Sequence, residues 1–319
     1  MASNPDRRTF WKAAIAAGVS SWGLRPLRMD AKPMKIPIGL QLYTVGKEMD
    51  ADPLGTLKRV AAIGYQTVEL SPMTKLSPAE LKKGLDDAGL KNPSGHYLLP
   101  ALMNRLDENI EAAKLLGEEY MVVTVPWVAD PSRFKPDPKG GQMALFLAIL
   151  AGLTLDDWKW NAEQFNKVGE RVKKAGLQLA YHNHNFEFKT YGSTTGYDEF
   201  LRLTDPDLVK LELDCGWMTV AGRDPAAYLA KYPARYRLLH IKEFHKGFTP
   251  TTVLGEQGPQ APVPTQLDRG GIDYGKILDI AGEVQYLFVE QEPPFTEMPA
   301  LEAIKVDYDF LKGLYAHAK

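Results

Sequence analysis

Two histidines stand two residues apart in Leu179-Ala180-Tyr181-His182-Asn183-His184-Asn185-Phe186-Glu187-Phe188, at the end of an apolar run. In an extended segment positions i and i+2 share a face, so His182 and His184 would point the same way. Three further apolar runs end in side chains able to hold a cation. The stretch 209–217 presents Asp214 just before a glycine turn, 238–243 presents His240, and 286–292 presents Glu290. Taken singly, each has a bland reading: hydrogen-bonded core histidines, a turn-capping aspartate, a glutamate paired with a nearby lysine or arginine. Taken together, His182, Asp214, His240 and Glu290 form a set of two imidazoles and two carboxylates. Such a set suits one borderline-to-hard divalent ion (manganese, zinc, cobalt or iron) better than it suits a purely oxygen-seeking ion.

For these four ends to meet, the runs that carry them must lie parallel with their C-terminal ends on one side. From Ile36 onward, β-branched and aromatic runs alternate with helical stretches that stop at a glycine, as at Gly64, Gly89, Gly117 and Gly176. Glycine takes the left-handed conformation after a helix without steric cost. Strands are predicted to begin near Ile38, Gln66, Asn92, Tyr120, Leu177, Val209, Leu238 and Tyr286. Most intervals are roughly 27 to 32 residues, the length of one βα unit. Eight such units predict an α/β fold, a closed (β/α)₈ TIM barrel, over residues 35–319 as a single domain. A doubly wound open sheet would carry a glycine-rich phosphate turn after its first strand, and Leu40-Gln41-Leu42-Tyr43-Thr44-Val45 has none. Two longer intervals, Val128 to Asp156 and Gly247 to Gly271, follow strands and are expected at the barrel mouth as lids or substrate walls.

Composition narrows the function classes. A formal net charge of −2, with no sustained basic run, offers no footprint for a phosphate backbone or an anionic membrane. The single cysteine, Cys215, excludes an intrachain disulfide and a cysteine-rich zinc site. Residues 7 to 12 read Arg-Arg-Thr-Phe-Trp-Lys, followed by an uncharged apolar stretch from Ala13 to Leu24. This reads as a twin-arginine export signal, with its linker, over residues 1–34; the alternative is a basic amphipathic helix. The stretch is short of the roughly 20 apolar residues that span a membrane, so stable insertion is not expected. The expected location is periplasmic or exported, with the mature chain starting between Met29 and Lys35.

With Gly64-Tyr65-Gln66-Thr67-Val68-Glu69-Leu70 on the second predicted strand and Ser94-Gly95-His96 on the third, the chain resembles the xylose-isomerase-like TIM barrel superfamily from about Ile36 to its C-terminus. That superfamily includes sugar phosphate isomerases and epimerases, ketose epimerases, inosose dehydratases and apurinic endonucleases. Its members place one metal ligand at the end of each of strands five to eight, usually glutamate, aspartate, histidine and glutamate. The resemblance therefore implies Asp214, His240 and Glu290 as ligands. At strand five this chain departs from it, with His182 in place of glutamate. The departure removes one of the two opposed glutamates on which ketose epimerases rely. Trp217 stands where endonuclease-type relatives carry a metal-binding histidine.

The resemblance implies a metal-dependent sugar isomerase or epimerase working through an enediolate, with Glu290 as base and Glu187 or His184 as a second acid or base. Glu69, His96 and Lys242 would hydrogen-bond substrate oxygens. Each has an alternative: Glu69 in a barrel-floor ion pair, His96 in the core, Lys242 as the partner of Glu69. Of the aromatics near strand ends, Tyr43, Tyr97, Trp127 and Trp217, some would stack on a sugar ring and the rest would fill the rim. The partner is expected to be a small-molecule carbohydrate. A lyase or hydrolase of keto-sugars or 3-keto-glycosides in the same barrel, and a non-catalytic sugar-binding barrel, stay open.

Overall fold

The structure is a computed structural model that describes residues 36–71, 75–135, 138–295 and 297–317; the predicted export signal lies outside them. Short runs, mostly apolar except for the polar β3, form eight strands: β1 (Ile38–Gln41), β2 (Thr67–Leu70), β3 (Lys91–Tyr97), β4 (Tyr120–Val123), β5 (Gln178–His182), β6 (Val209–Asp214), β7 (Tyr236–Ile241) and β8 (Tyr286–Val289). Each pairs in parallel with the next, and β8 pairs with β1 to close the barrel. Every strand begins within two residues of its predicted start. Helices such as Pro78–Ala88 and Leu99–Leu116 end at Gly89 and Gly117, whose φ of 71° and 84° permits the turn into the next strand.

Strand alternation divides the core in two. Met121, Leu179, Leu211, Leu239, Leu287 and their like point outward and pack against the helices in one large cluster. Tyr120, Val122, Ala180, Leu238 and Phe288 form a small separate cluster inside the barrel. This inner cluster is a floor. Gly39 on β1 makes room for it, since a methyl there would lie 2.5 Å from Phe288 Cδ1 and 2.7 Å from the Leu287 carbonyl oxygen.

The two long intervals differ. The first is largely helical, with a helix at Gly141–Ala151 before the long helix Leu155–Lys174. The segment Gly141–Ala151 is apolar nearly all round, so it gives no helical stripe to read in the sequence. The second interval runs beside the mouth. Glu243–Phe244 pairs with Pro264–Thr265, and Asn185 Nδ2 donates to the carbonyls of Thr251 and Val253 at 3.1 Å each. Phe248 and Leu254 pack on Trp217 and Phe244, so the segment forms a wall next to the ends of β5 and β6. Among the described residues no helix is long and apolar enough to cross a membrane.

Because Phe288 fills the barrel below the polar side chains, Phe288→Ala should cost about 3 to 5 kcal/mol of stability, the range for emptying a buried aromatic site. Denaturant unfolding checks this. A loss under about 1 kcal/mol would mean that the floor does not carry the barrel.

Candidate functional site

Above the floor the same alternation delivers polar side chains. Two residues beyond Ala180, Leu238 and Phe288, on the same face, come His182, His240 and Glu290. Two residues beyond Gly39 comes Gln41. Register brings them level, with His182 opposite Glu212 and His240 opposite both Asp214 and Phe288. Glu69, Ser94, His182, Glu212, Asp214, His240, Lys242 and Glu290 are all buried. Burying charge is costly unless each group has a partner, and the partners sort the groups into two rings.

The lower ring is built on two glutamates. Glu69 Oε2 lies 2.6 Å from His240 Nε2 and accepts from Gln41 Nε2 at 2.8 Å, while Glu69 Oε1 accepts from Ser94 Oγ at 2.5 Å. Glu212 Oε2 lies 3.0 Å from His182 Nδ1 and 3.1 Å from His96 Nε2. The upper ring faces the mouth. One donor atom from each of His182, Asp214, His240 and Glu290 lies within 4.8 Å of the others. His240 Nδ1 is 3.0 Å from Glu290 Oε2 and 4.0 Å from Asp214 Oδ2, and His182 Nε2 is 3.8 Å from Asp214 Oδ2. Ligands about 2.0 to 2.2 Å from a tetrahedral zinc lie about 3.3 to 3.6 Å from one another, so small movements bring these atoms to coordination spacing. A second group, His96, His182, Glu212 and His240, meets the same 4.8 Å limit in the lower ring.

Lys242 anchors the upper ring from the side. Its Nζ is 2.7 Å from Glu290 Oε2, 2.6 Å from Glu292 Oε1 and 3.2 Å from Asp214 Oδ2. Trp217 covers it, with Nζ 5.3 Å from the ring centroid and the indole Nε1 donating to Glu292 Oε1 at 2.9 Å. Asp214 Oδ1 accepts from the Trp217 N–H at 2.7 Å, whereas Asp214 Oδ2 is buried and accepts no hydrogen bond among the described residues. That carboxylate oxygen, aimed among Lys242, two imidazoles and Glu290, is what a divalent ion would take up.

Charge in the tier follows from burial set against neighbours. Burial opposes ionisation of Glu290, but Lys242 and His240 hold its carboxyl far below the usual range. Burial likewise opposes charge on Glu69, which His96 and His240 keep well below the usual range. Asp214 goes the other way: burial raises it to about 6 against the pull of Lys242 and His240. Burial, reinforced by His240 and His184, pushes His182 well below the imidazole range. It is therefore neutral, the form that binds metal.

The remaining predicted residues are placed as follows. His184 lies at the mouth, its ring 4.9 Å from His182, 5.6 Å from Phe186 and 5.9 Å from Trp217, and burial lowers it to about 3. Glu187 turns toward the outer core, where Oε1 accepts from Tyr181 Oη at 2.8 Å. Burial raises Glu187 to about 8, and it comes within 3.9 Å of His184 Nδ1. Glu69 and His96 are engaged within the lower ring. Lys242 does not partner Glu69, a correction to the alternative drawn from sequence; the three carboxylates of the mouth hold it instead, because Lys242 lies one alternation above His240. Trp127 packs on the outer core with its backbone N–H on Asn161 Oδ1 at 2.9 Å, and Tyr97 Oη donates to Glu118 at 2.7 Å. Tyr43 is exposed at the rim and lines a cavity of about 400 Å³ with Leu42, Met49, Leu70, Leu81 and Phe295. This cavity lies beside the polar tier and includes none of its imidazoles or carboxylates.

Sequence reasoning did not single out Gln41, Ser94, Glu212 and Glu292. The rule that pairs His182 with His184 also puts Glu212 on the face of Asp214 and Glu292 on that of Glu290.

Residues 57–314 match the family described as xylose isomerase-like TIM barrel. An inosose dehydratase from Lacticaseibacillus casei is 27% identical over 232 residues, which is 66% of this chain and 71% of the relative. An inosose dehydratase from Clostridium perfringens is 33% identical over 162 residues, covering 48% of this chain and 54% of the relative, about half its length. Among solved structures, a sugar phosphate isomerase/epimerase from Parabacteroides distasonis aligns with a TM-score of 0.65 and 25% identity, over 89% of this chain and 95% of that one. With a closed barrel of eight parallel strands and a family match across most of its length, the chain belongs to the xylose isomerase-like TIM barrel family.

Proposed function

We propose that this protein is a divalent-metal-dependent lyase acting on a keto-sugar or keto-polyol, removing the proton next to the carbonyl and expelling an oxygen substituent from the neighbouring carbon. One observation carries the reading: of the two carboxylates in the upper ring, Asp214 is engaged by the Trp217 N–H, which leaves Glu290 as the base, and an imidazole, His182, stands where the resemblance implies an opposed glutamate. His182, Asp214, His240 and Glu290 would hold the ion. When bound, the metal supplies Lewis acidity toward a carbonyl and an adjacent hydroxyl.

The chain's own groups account for the proton. Glu290, kept ionised by Lys242 at 2.7 Å, takes it from carbon. The carbon's electron pair delocalises onto the carbonyl oxygen and returns to break the C–O bond on the next carbon. The departing oxygen needs one proton, and Glu290 holds one. A single carboxylate therefore completes an elimination on one face of the ring, whereas epimerisation needs a second group on the other face. Lys242 keeps positive charge beside the developing oxyanion, and Trp217 offers an apolar face at the mouth. The names of the inosose dehydratase relatives support this reading.

Epimerisation is the second reading, supported by the sugar phosphate isomerase/epimerase neighbour. It is favoured by His184, whose buried Nδ1 has no hydrogen-bond partner among the described residues and could return a proton.

The test is incubation of metal-reconstituted protein with inososes and 3-keto-glycosides in deuterated water. The reading expects an unsaturated ketone with release of water or aglycone. Deuterium incorporation with an epimer and no unsaturated ketone would replace it with epimerisation; bound sugar with neither exchange nor product would leave a binding barrel. Glu290→Gln should lower turnover by about 10² to 10⁴-fold, with carbon exchange falling in parallel and excess metal giving no recovery. Recovery at saturating metal would reduce Glu290 to a ligand.

We also propose that the chain is exported through a twin-arginine signal, on the strength of Arg7 and Arg8 before the apolar stretch. Replacing both with lysine should retain the protein in the cytoplasm on cell fractionation; unchanged export would refute the assignment.

A further inference from the structure

Two overlapping donor groups share His182 and His240, and an imidazole offers only one nitrogen to a metal while the other carries a proton. The hydrogen bonds decide which nitrogen does which. An ionised carboxylate only accepts, so a ring nitrogen facing one must be the donor. Gln41 starts the assignment: its Oε1 accepts from the Tyr43 N–H at 3.0 Å, which leaves its Nε2 to donate to Glu69 Oε2 at 2.8 Å and to His96 Nδ1 at 3.2 Å. His96 Nδ1 is thereby an acceptor, and His96 Nε2 donates to Glu212 Oε2 at 3.1 Å. On the same oxygen, His182 Nδ1 donates at 3.0 Å. Glu69 Oε2 then accepts from the His240 Nε2–H at 2.6 Å. Every ring nitrogen that faces the lower ring carries a proton, except His96 Nδ1, which accepts a hydrogen bond from Gln41.

We infer that Glu212 and Glu69 are positioning residues that fix His182 as the Nδ1–H form and turn the Nε2–H of His240 downward. Only His182 Nε2 and His240 Nδ1 are then presented to a cation, together with Asp214 Oδ2 and Glu290 Oε2; the cation would displace the proton that His240 Nδ1 donates to Glu290 Oε2 at 3.0 Å in its absence. The inference rests on the metal reading above and deepens it: the lower group of His96, His182, Glu212 and His240 is an orienting layer and not a second metal site. It also accounts for the departure at strand five. A glutamate ligand there needs no fixed tautomer, whereas His182 does, and Glu212, opposite it on β6, supplies the acceptor. Acceptors of this kind typically change metal affinity by about 10- to 100-fold.

The experiment uses the full chain with its histidine rings labelled with nitrogen-15, first metal-free and then loaded with cadmium-113, whose coupling marks the bound nitrogen. The expected spectrum shows coupling at His182 Nε2 and His240 Nδ1, with protons on His182 Nδ1 and His240 Nε2. Coupling at His182 Nδ1 and His240 Nε2 would overturn the inference and put the ion in the lower group. Glu212→Gln keeps the shape but offers a neutral, weaker acceptor. It should bind zinc about 10- to 100-fold more weakly while its His182 ring signals shift or split between two tautomers. Wild-type affinity with unchanged His182 signals would also overturn the inference. If the wild-type chain takes up no zinc or cadmium, the metal reading fails by itself. The metal-free spectrum then decides the positioning role: a proton on His182 Nδ1 alone upholds it, and a proton on Nε2 alone rejects it.

Discussion

Four carboxylates, Glu69, Glu212, Asp214 and Glu290, share the inside of a closed barrel with one ammonium, that of Lys242, and three imidazoles. With neutral imidazoles the group would carry three uncompensated negative charges in a space with little water. Such a state is too costly to persist, so protons or a cation must enter. In the metal-free arrangement His240 offsets one of the three, raised well above the usual imidazole range by Glu212 and Glu69 in spite of burial. A dication among His182, Asp214, His240 and Glu290 would offset two of them. It would do so where Asp214 Oδ2, 3.2 Å from Lys242 Nζ, accepts no hydrogen bond among the described residues. The architecture below and around the tier keeps the carboxylates close: Phe288, Leu238 and Ala180 close the floor, and Trp217 closes the side.

Much of this was legible in the sequence because a parallel barrel obeys two short rules. Helices stop at glycine and strands alternate, so the eight strand starts and the convergence of His182, Asp214, His240 and Glu290 can be read without coordinates. What escaped notice followed from attending to strand ends alone. Glu212 sits between Leu211 and Leu213, inside an apolar run, and reads as an interruption of the strand; its meaning comes from His182 on the neighbouring strand. Gln41 and Ser94 are neutral and common, and only their hydrogen bonds to Glu69 single them out. The helix Gly141–Ala151 has almost no polar face, so no period distinguished it from a loop. The alternative that pairs Lys242 with Glu69 fails, because sequence does not say how far up the barrel a long side chain reaches.

The exchange of glutamate for His182 links the electrostatics to the chemistry. It removes one negative charge from a tier already rich in them, and it removes one of two candidate bases. What remains is one carboxylate base, Glu290, held ionised by Lys242, and one neutral imidazole, His184, at the rim. Elimination needs only the first, since the proton taken from carbon is the one the leaving oxygen requires. The lower ring is then the support on which this asymmetric site rests, fixing two imidazoles that would otherwise rotate or exchange protons.

The central claim is that the upper ring holds one divalent ion. Anomalous X-ray diffraction at the metal edge, on crystals grown from metal-reconstituted protein, tests it most directly. The account predicts one peak per chain, with His182 Nε2, Asp214 Oδ2, His240 Nδ1 and Glu290 Oε2 about 2.0 to 2.3 Å away. A peak coordinated by His96 and Glu212, or no peak at full metal loading, would contradict it.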